Sequence, residues 1–336
     1  MAINTEKVTL LAIESSCDET SASVISDGQI LSNIVATQVV HEKHGGVVPE
    51  LASRAHQQNI ILVVQEALQK AQIDKSELSA IGFTRGPGLL GSLLVGTSFS
   101  KAMALALDIP LIEVNHMQAH VLAHFIDEPK PAFPFLCLTV SGGHTQIVKV
   151  KSHLGMEVIG ETTDDAVGEA FDKAAKMLGL GYPGGPMVDK LAKTGNPLAF
   201  PFPISDMPDL KFSFSGVKTA LLYFIQKQTP EFIQENLADI CASYQYTLIR
   251  TLLLKLKKAS KLHGIKEISV AGGVSANSGL RLALAEMAKK ERWNIYIPDF
   301  QYCTDNAGMI AIAAHYKFLA GEFTSQSVSP MPRFAI

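Results

Sequence analysis

One short pattern occurs twice in this chain, and it constrains the fold more than any other feature. Val8–Ile13 runs through the turn Glu14-Ser-Ser-Cys-Asp-Glu-Thr20 into Ala22–Ile25, and Phe135–Val140 runs through a Ser-Gly-Gly turn into Thr145–Val150. Apolar runs of this length, bounded by Ser, Gly and Asp, read as buried strands joined by tight turns. Ala80–Thr84 and Leu111–Val114 read as further strands, with helices over Leu51–Ala71 and Ser92–Leu107 between them. The Pro-punctuated stretch Asp127–Pro134 then breaks the chain before the theme restarts. The second half continues with an irregular Pro/Gly-rich loop from Gly195 to Leu210, a long helix over Asn236–His263, the strand Glu267–Ala271 and a helix opening near Asn277. A duplicated α/β architecture follows, with two lobes and a central cleft: residues 1–132 form the first lobe and 133–304 the second. The amphipathic helix over 305–319 is expected to return to the first lobe, leaving 320–336 as a tail.

With 336 residues, 47% of them hydrophobic, the chain is long enough for two well-buried cores. Charged residues make up 18%, which excludes a disordered or acidic-tail protein. The net charge of −3 argues against holding nucleic acid by bulk electrostatics, so RNA binding would need a local basic face or a partner. The basic runs Lys255/Lys257/Lys258/Lys261 and Lys289/Lys290/Arg292 read as solvated helix faces. No stretch approaches the roughly 20 apolar residues that span a bilayer. Glu14 and Ser15 interrupt the first apolar run too early for a signal peptide. Cys17, Cys137, Cys241 and Cys303 are far apart and form no CxxC pair, which suits reduced, mostly buried thiols. The expectation is a cytoplasmic protein with no membrane contact.

Two glycine turns follow strands: Leu138-Thr-Val-Ser-Gly-Gly-His-Thr145, and Val270-Ala-Gly-Gly-Val-Ser-Ala-Asn277, which opens a helix. Such turns let backbone N–H groups approach a phosphate or nucleoside closely. Neither GxxxxGK[ST] nor GxGxxG after a strand is present, which disfavours P-loop and Rossmann folds. Asp18 and Glu19 follow the first strand and fit two readings, a pair that orients a nucleophile or holds a cation, or a solvated hairpin tip.

His116-Met-Gln-Ala-His120 places two imidazoles one helical turn apart, on one face, where both can reach one metal ion. Met117 stands where a zincin has its general-base Glu, so metalloprotease chemistry is not expected. His124 continues the same face but lies too far along the axis to join them. The third ligand must come from elsewhere, and Asp305 in Cys303-Thr-Asp-Asn306 is the candidate. Asp172, beside the loop Tyr182-Pro-Gly-Gly-Pro186, is placed to bind ribose hydroxyls. Asp164 and Asp165 read as helix-capping and i,i+4 pairing residues.

These motifs, together with His44-Gly-Gly-Val-Val-Pro-Glu-Leu-Ala-Ser-Arg54, Thr84-Arg-Gly-Pro-Gly88, Gly168-Glu-Ala-Phe-Asp172 and Phe212-Ser-Phe-Ser-Gly216, resemble the TsaD family, the bacterial tRNA N6-adenosine threonylcarbamoyltransferases. The match runs from near residue 8 to near residue 320 in family order. It implies the fold of actin, Hsp70 and sugar kinases. It implies one metal ion, Fe(2+) or zinc, on His116, His120 and Asp305. It also implies that Thr139, Val140, Ser141, Gly142, Gly143, Asp172, Gly185, Asp189 and Asn277 contact a nucleotide or L-threonylcarbamoyladenylate. Leu138 and Thr139 stand where archaeal and eukaryotic relatives carry a Tyr ligand, so the chain sides with the bacterial branch. The implied partners are tRNA, a TsaB-like paralogue as heterodimer and a TsaE-like ATPase. Asp18 and Glu19 become the expected catalytic carboxylates. A kinase or O-carbamoyltransferase of the same fold and a non-catalytic scaffold subunit are the alternatives. No function is attached to Ser325–Ile336.

Overall fold

A computed structural model describes residues 7–38, 41 and 45–336; His44, which heads one of the motifs above, lies outside the described residues. The chain divides into two compact units. One comprises the described residues up to His41 with Val47–Lys130 and Thr304–Ile336, and the other comprises Gly45, Gly46 and Pro131–Cys303.

In the first unit, Thr9–Glu14 (β1), Glu19–Ser26 (β2), Gln29–Thr37 (β3), Ala80–Gly86 (β4) and Leu111–Asn115 (β5) form one sheet in the order β3-β2-β1-β4-β5. β1 pairs antiparallel with β2 and parallel with β4. All six residues of β1 are buried, because both faces of the sheet are covered. Leu11 and Ile13 join Ile60, Val63 and Val64 of Pro49–Ala71 (α1) in one core. On the other face Gly82 lets Ala307–Leu319 (α10) approach, and a Cβ there would stand 2.6 Å from that of Ala314. A strand buried on both faces reads as a continuous apolar run rather than an alternating one, which is why β1 was visible in the sequence. Leu90–Leu107 (α2) is the one described helix long and apolar enough, by length and composition alone, to cross a membrane. It packs against α1 and β4 with Ser92, Thr97 and Ser100 buried.

The second unit repeats the plan. Phe135–Val140 (β6), Thr145–Val150 (β7), Met156–Glu161 (β8), Glu267–Ala271 (β9) and Asn294–Tyr296 (β10) form a sheet in the order β10-β9-β6-β7-β8. β6 pairs antiparallel with β7 and parallel with β9, as β1 does with β2 and β4. Its core joins β6 to Val167–Met177 (α4) and to the 27-residue helix Leu237–His263 (α8), through Leu138, Phe171, Tyr244, Leu248 and Leu252. The remaining helices are Gly184–Ala192 (α5), Ser215–Gln226 (α6), Pro230–Glu235 (α7) and Ser278–Glu291 (α9).

Three sequence expectations are revised. The last helix starts at Ala307 and not at Asp305, because Asn306 is extended and caps it, its Oδ1 accepting from Met309 N–H. Asp164 does not cap its own helix; it accepts from Phe214 N–H and from the Ser213 and Ser215 hydroxyls at the head of α6. Asp165 pairs with Lys173 and Lys218, neither at i,i+4.

The tail is packed. Thr324 bridges to Leu111, Val328 enters the first core, and Met331 N–H donates to Arg85 O. Gly86 makes room for it, since a Cβ there would meet Met331 O at 1.8 Å.

Candidate functional site

A histidine–carboxylate centre stands in the first unit. His116 and His120 lie on the short helix His116–Leu122 (α3), which follows β5 directly. Asn115 caps this helix, its Oδ1 accepting from Met117 and Gln118 N–H, and its Nδ2 donates to the tail carbonyls of Phe334 and Ala335. Both imidazoles turn Nε2 toward Asp305: His120 Nε2 lies 3.1 Å and His116 Nε2 3.3 Å from Asp305 Oδ1. One ligand atom from each of the three residues falls within 4.8 Å of the others. His124 is buried in the turn beyond α3 and stands outside this group. Two imidazole nitrogens and one carboxylate oxygen, largely shielded from water, are a donor set that suits iron(II) or zinc and leaves coordination positions for a substrate.

Charges reinforce one another here. Burial alone would raise the Asp305 carboxyl, but His116 and His120 hold it far below the ordinary aspartate value. Burial alone would lower His116, yet Asp305 and Glu14 keep it well above the ordinary histidine value. Glu14 was missed in the sequence, where it only ended an apolar run. Its side chain is 0% exposed, its Oε2 is 3.1 Å from His116 Nδ1, and it also takes the Thr84 hydroxyl at 2.6 Å. Burial pushes the Glu14 carboxyl up, and His116 and Ser16 more than reverse this.

Asp18 and Glu19 are half-buried, so the solvated-tip reading does not apply. Burial, then Asp305 and Asp18, push Glu19 up to about 9. The turn that carries them is held from behind by His56. Its Nε2 lies 2.9 Å from Cys17 O and its Nδ1 lies 2.8 Å from Thr20 Oγ1. A carbonyl can only accept, so Nε2 carries the proton and Nδ1 receives the Thr20 hydroxyl. Burial keeps this imidazole neutral by lowering its pKa.

The second unit carries the glycine turns. Gly142 and Gly143 are exposed, with nothing within 4 Å of where a Cβ would stand, so no contact inside the protein demands glycine at either place. Backbones crowd beneath them. A Cβ on Gly168 would lie 2.5 Å from Ser141 O, and one on Gly272 2.4 Å from Val140 O. These two glycines bring the head of α4 and the turn after β9 against the Ser141 turn. Thr139 and Val140 are wholly buried in β6, which leaves Ser141–Gly143 as the accessible part of that motif. Asp172 Oδ1 accepts from the N–H groups of Gly184 and Gly185. Burial raises the Asp172 carboxyl. Asp189 accepts from Ser278 and Gln245, and Asn277 caps α9 while donating to Gln245. Asp189 and Asn277 are therefore largely engaged within the protein.

The sequence profile of the tRNA N6-adenosine threonylcarbamoyltransferases, TsaD, matches residues 29–312. The chain belongs to the TsaD family. A relative of that name from Cytophaga hutchinsonii is 62% identical over 100% of this chain and 99% of its own length. Another from Christiangramia forsetii is 62% identical over 98% of both. Solved structures agree on the fold alone. HypF, in a phosphate- and nucleotide-bound form, superposes with a TM-score of 0.63 at 13% identity, over 93% of this chain and 46% of HypF. Component A of (R)-2-hydroxyglutaryl-CoA dehydratase from Acidaminococcus fermentans gives 0.53 at 14% identity, over 93% and 99%. The actin-like α/β class read from the sequence is borne out, and the family acts on tRNA.

Proposed function

We propose that this chain transfers the threonylcarbamoyl group of L-threonylcarbamoyladenylate to N6 of adenosine 37 in ANN-decoding tRNAs, releasing AMP. The observation that carries this reading is the convergence of His116, His120 and Asp305 within 4.8 Å, in a chain matching TsaD relatives end to end. In the reaction a C–N6 bond forms, the C–O bond of the mixed anhydride breaks, and N6 loses a proton. AMP leaves readily, whereas N6 is a poor nucleophile because its lone pair is delocalised into the ring. Catalysis therefore rests on positioning and on stabilising charge at the carbonyl. Iron(II) or zinc held by the three residues would supply Lewis acidity and a template for the threonylcarbamoyl end.

In the accessible turn Ser141–Gly143 the Ser141 N–H is taken by His144 O, and the Gly142 and Gly143 N–H groups suit the phosphate, while the Asp172 oxygen not committed to Gly184 and Gly185 suits a ribose hydroxyl. Asp18 orients or deprotonates the attacking amine, and Glu19 stands beside it as the second carboxylate, raised to about 9 by burial first. Exposed apolar side chains on α1 and α2, including Ile61, Leu62 and Leu105, support a TsaB-like heterodimer partner. The net charge of −3 supports tRNA binding shared with partners, including a TsaE-like ATPase, in the cytoplasm.

Single-turnover transfer from pre-formed threonylcarbamoyladenylate to tRNA tests the scheme. Asp18→Asn should keep adenylate and metal bound and lose rate at saturation. A near-normal saturated rate would remove Asp18 from the mechanism.

A further inference from the structure

We infer that Glu14 is a positioning residue that fixes the ring and the tautomer of His116, making His116 the anchored ligand of the centre. This rests on the metal-binding reading of His116, His120 and Asp305. The two imidazoles differ in what stands behind them. His116 points Nε2 at Asp305 and Nδ1 at Glu14 Oε2, 3.1 Å away. His120 also points Nε2 at Asp305, but its Nδ1 is buried with no partner among the described residues.

The carboxylate of Glu14 is itself held at both oxygens. Oε1 accepts from Ser16 N–H, and Oε2 takes the Thr84 hydroxyl as well as the His116 proton. No lysine or arginine pairs with it in any salt bridge of the described residues. A carboxylate with no exposed surface is costly unless something compensates, and the imidazole does so here. With one proton fixed on Nδ1, Nε2 on the Asp305 side is the nitrogen left to bind a metal. A carboxylate accepting from the far nitrogen of a ligating histidine sets its tautomer and raises its basicity, and losing such a partner costs about 10- to 100-fold in metal affinity.

Ser16 Oγ, 3.2 Å from the same Nδ1, is the rival partner, and the test separates the two. Zinc affinity is measured on the full chain by competition with a chromogenic chelator. Glu14→Gln is expected to weaken zinc binding about 10- to 100-fold, and Ser16→Ala less than about 2-fold. Equal losses in both variants, or none in Glu14→Gln, would overturn the assignment. Imidazole NMR of the zinc-loaded wild type gives a second reading that needs no folded variant. His116 should carry its proton on Nδ1 and bind through Nε2, and a metal-bound Nδ1 would overturn the inference. If His116→Ala leaves zinc affinity unchanged, the metal-binding reading itself fails, which is distinguishable from a failure of the role given to Glu14.

Discussion

His120 Nε2 and Asp305 Oδ1 lie 3.1 Å apart, although 185 residues separate them in the chain. β5 delivers the histidine into α3, and Asn306, by capping α10 one residue later, leaves Asp305 outside that helix.

The convergence gives a first expected outcome. His116→Ala, His120→Ala and Asp305→Ala should each lose bound metal, while His124→Ala should retain it. Elemental analysis of the purified variants checks this. Full metal in the Asp305 variant would remove Asp305 from the ligand set.

Parts of this centre were legible in the sequence for physical reasons. Histidines at i and i+4 share a helix face whatever the rest of the fold does, and the sequence identified that pair. The central strands β1, β4, β6 and β9 were visible because burial on both faces makes them mostly apolar runs. The edge strand β3, Gln-Ile-Leu-Ser-Asn-Ile-Val-Ala-Thr, was not, since Ser32 and Asn33 break its apolar run to bond inside the protein, Ser32 Oγ donating to Ala67 O and Asn33 Oδ1 accepting from Gly308 N–H. Glu14 looked like the end of a strand, and only its burial behind His116 reveals it. The tail was illegible because backbone carbonyls hold it: Val328, Ser329, Phe334 and Ala335 accept from Lys101, Arg85 and Asn115. Any residue supplies such carbonyls. The partners of Asp164 lie about 50 residues away and escaped a local capping rule for the same kind of reason.

Acid stability should depend on His124. Burial first, with the nearby His120, lowers its pKa from 6.5 to about 3 in the folded chain. The unfolded chain therefore binds the proton more readily. The stabilisation is fully present above pH 6.5 and is lost as the pH falls toward about 3. Replacing His124 by Leu should flatten unfolding free energy against pH in that window by up to about 1.4 kcal/mol per pH unit. Denaturant titrations across the range read this out, and an unchanged slope would contradict it.

The second unit gives an independent test. Gly168→Ala places a Cβ 2.5 Å from Ser141 O, so the head of α4 or the Ser141 turn must shift. Threonylcarbamoyladenylate binding, followed by calorimetry, should weaken at least about 10-fold, as a misplaced binding group does. Metal content should be unchanged. Unaltered adenylate binding would dissociate this turn from the nucleotide.

The central claim is that this chain places threonylcarbamoyl on tRNA. Mass spectrometry of tRNA nucleosides from cells depleted of the protein measures it most directly. N6-threonylcarbamoyladenosine should fall, return when the wild-type chain is restored, and stay low with His116→Ala. An unchanged level of the modified nucleoside after complete depletion would contradict the account.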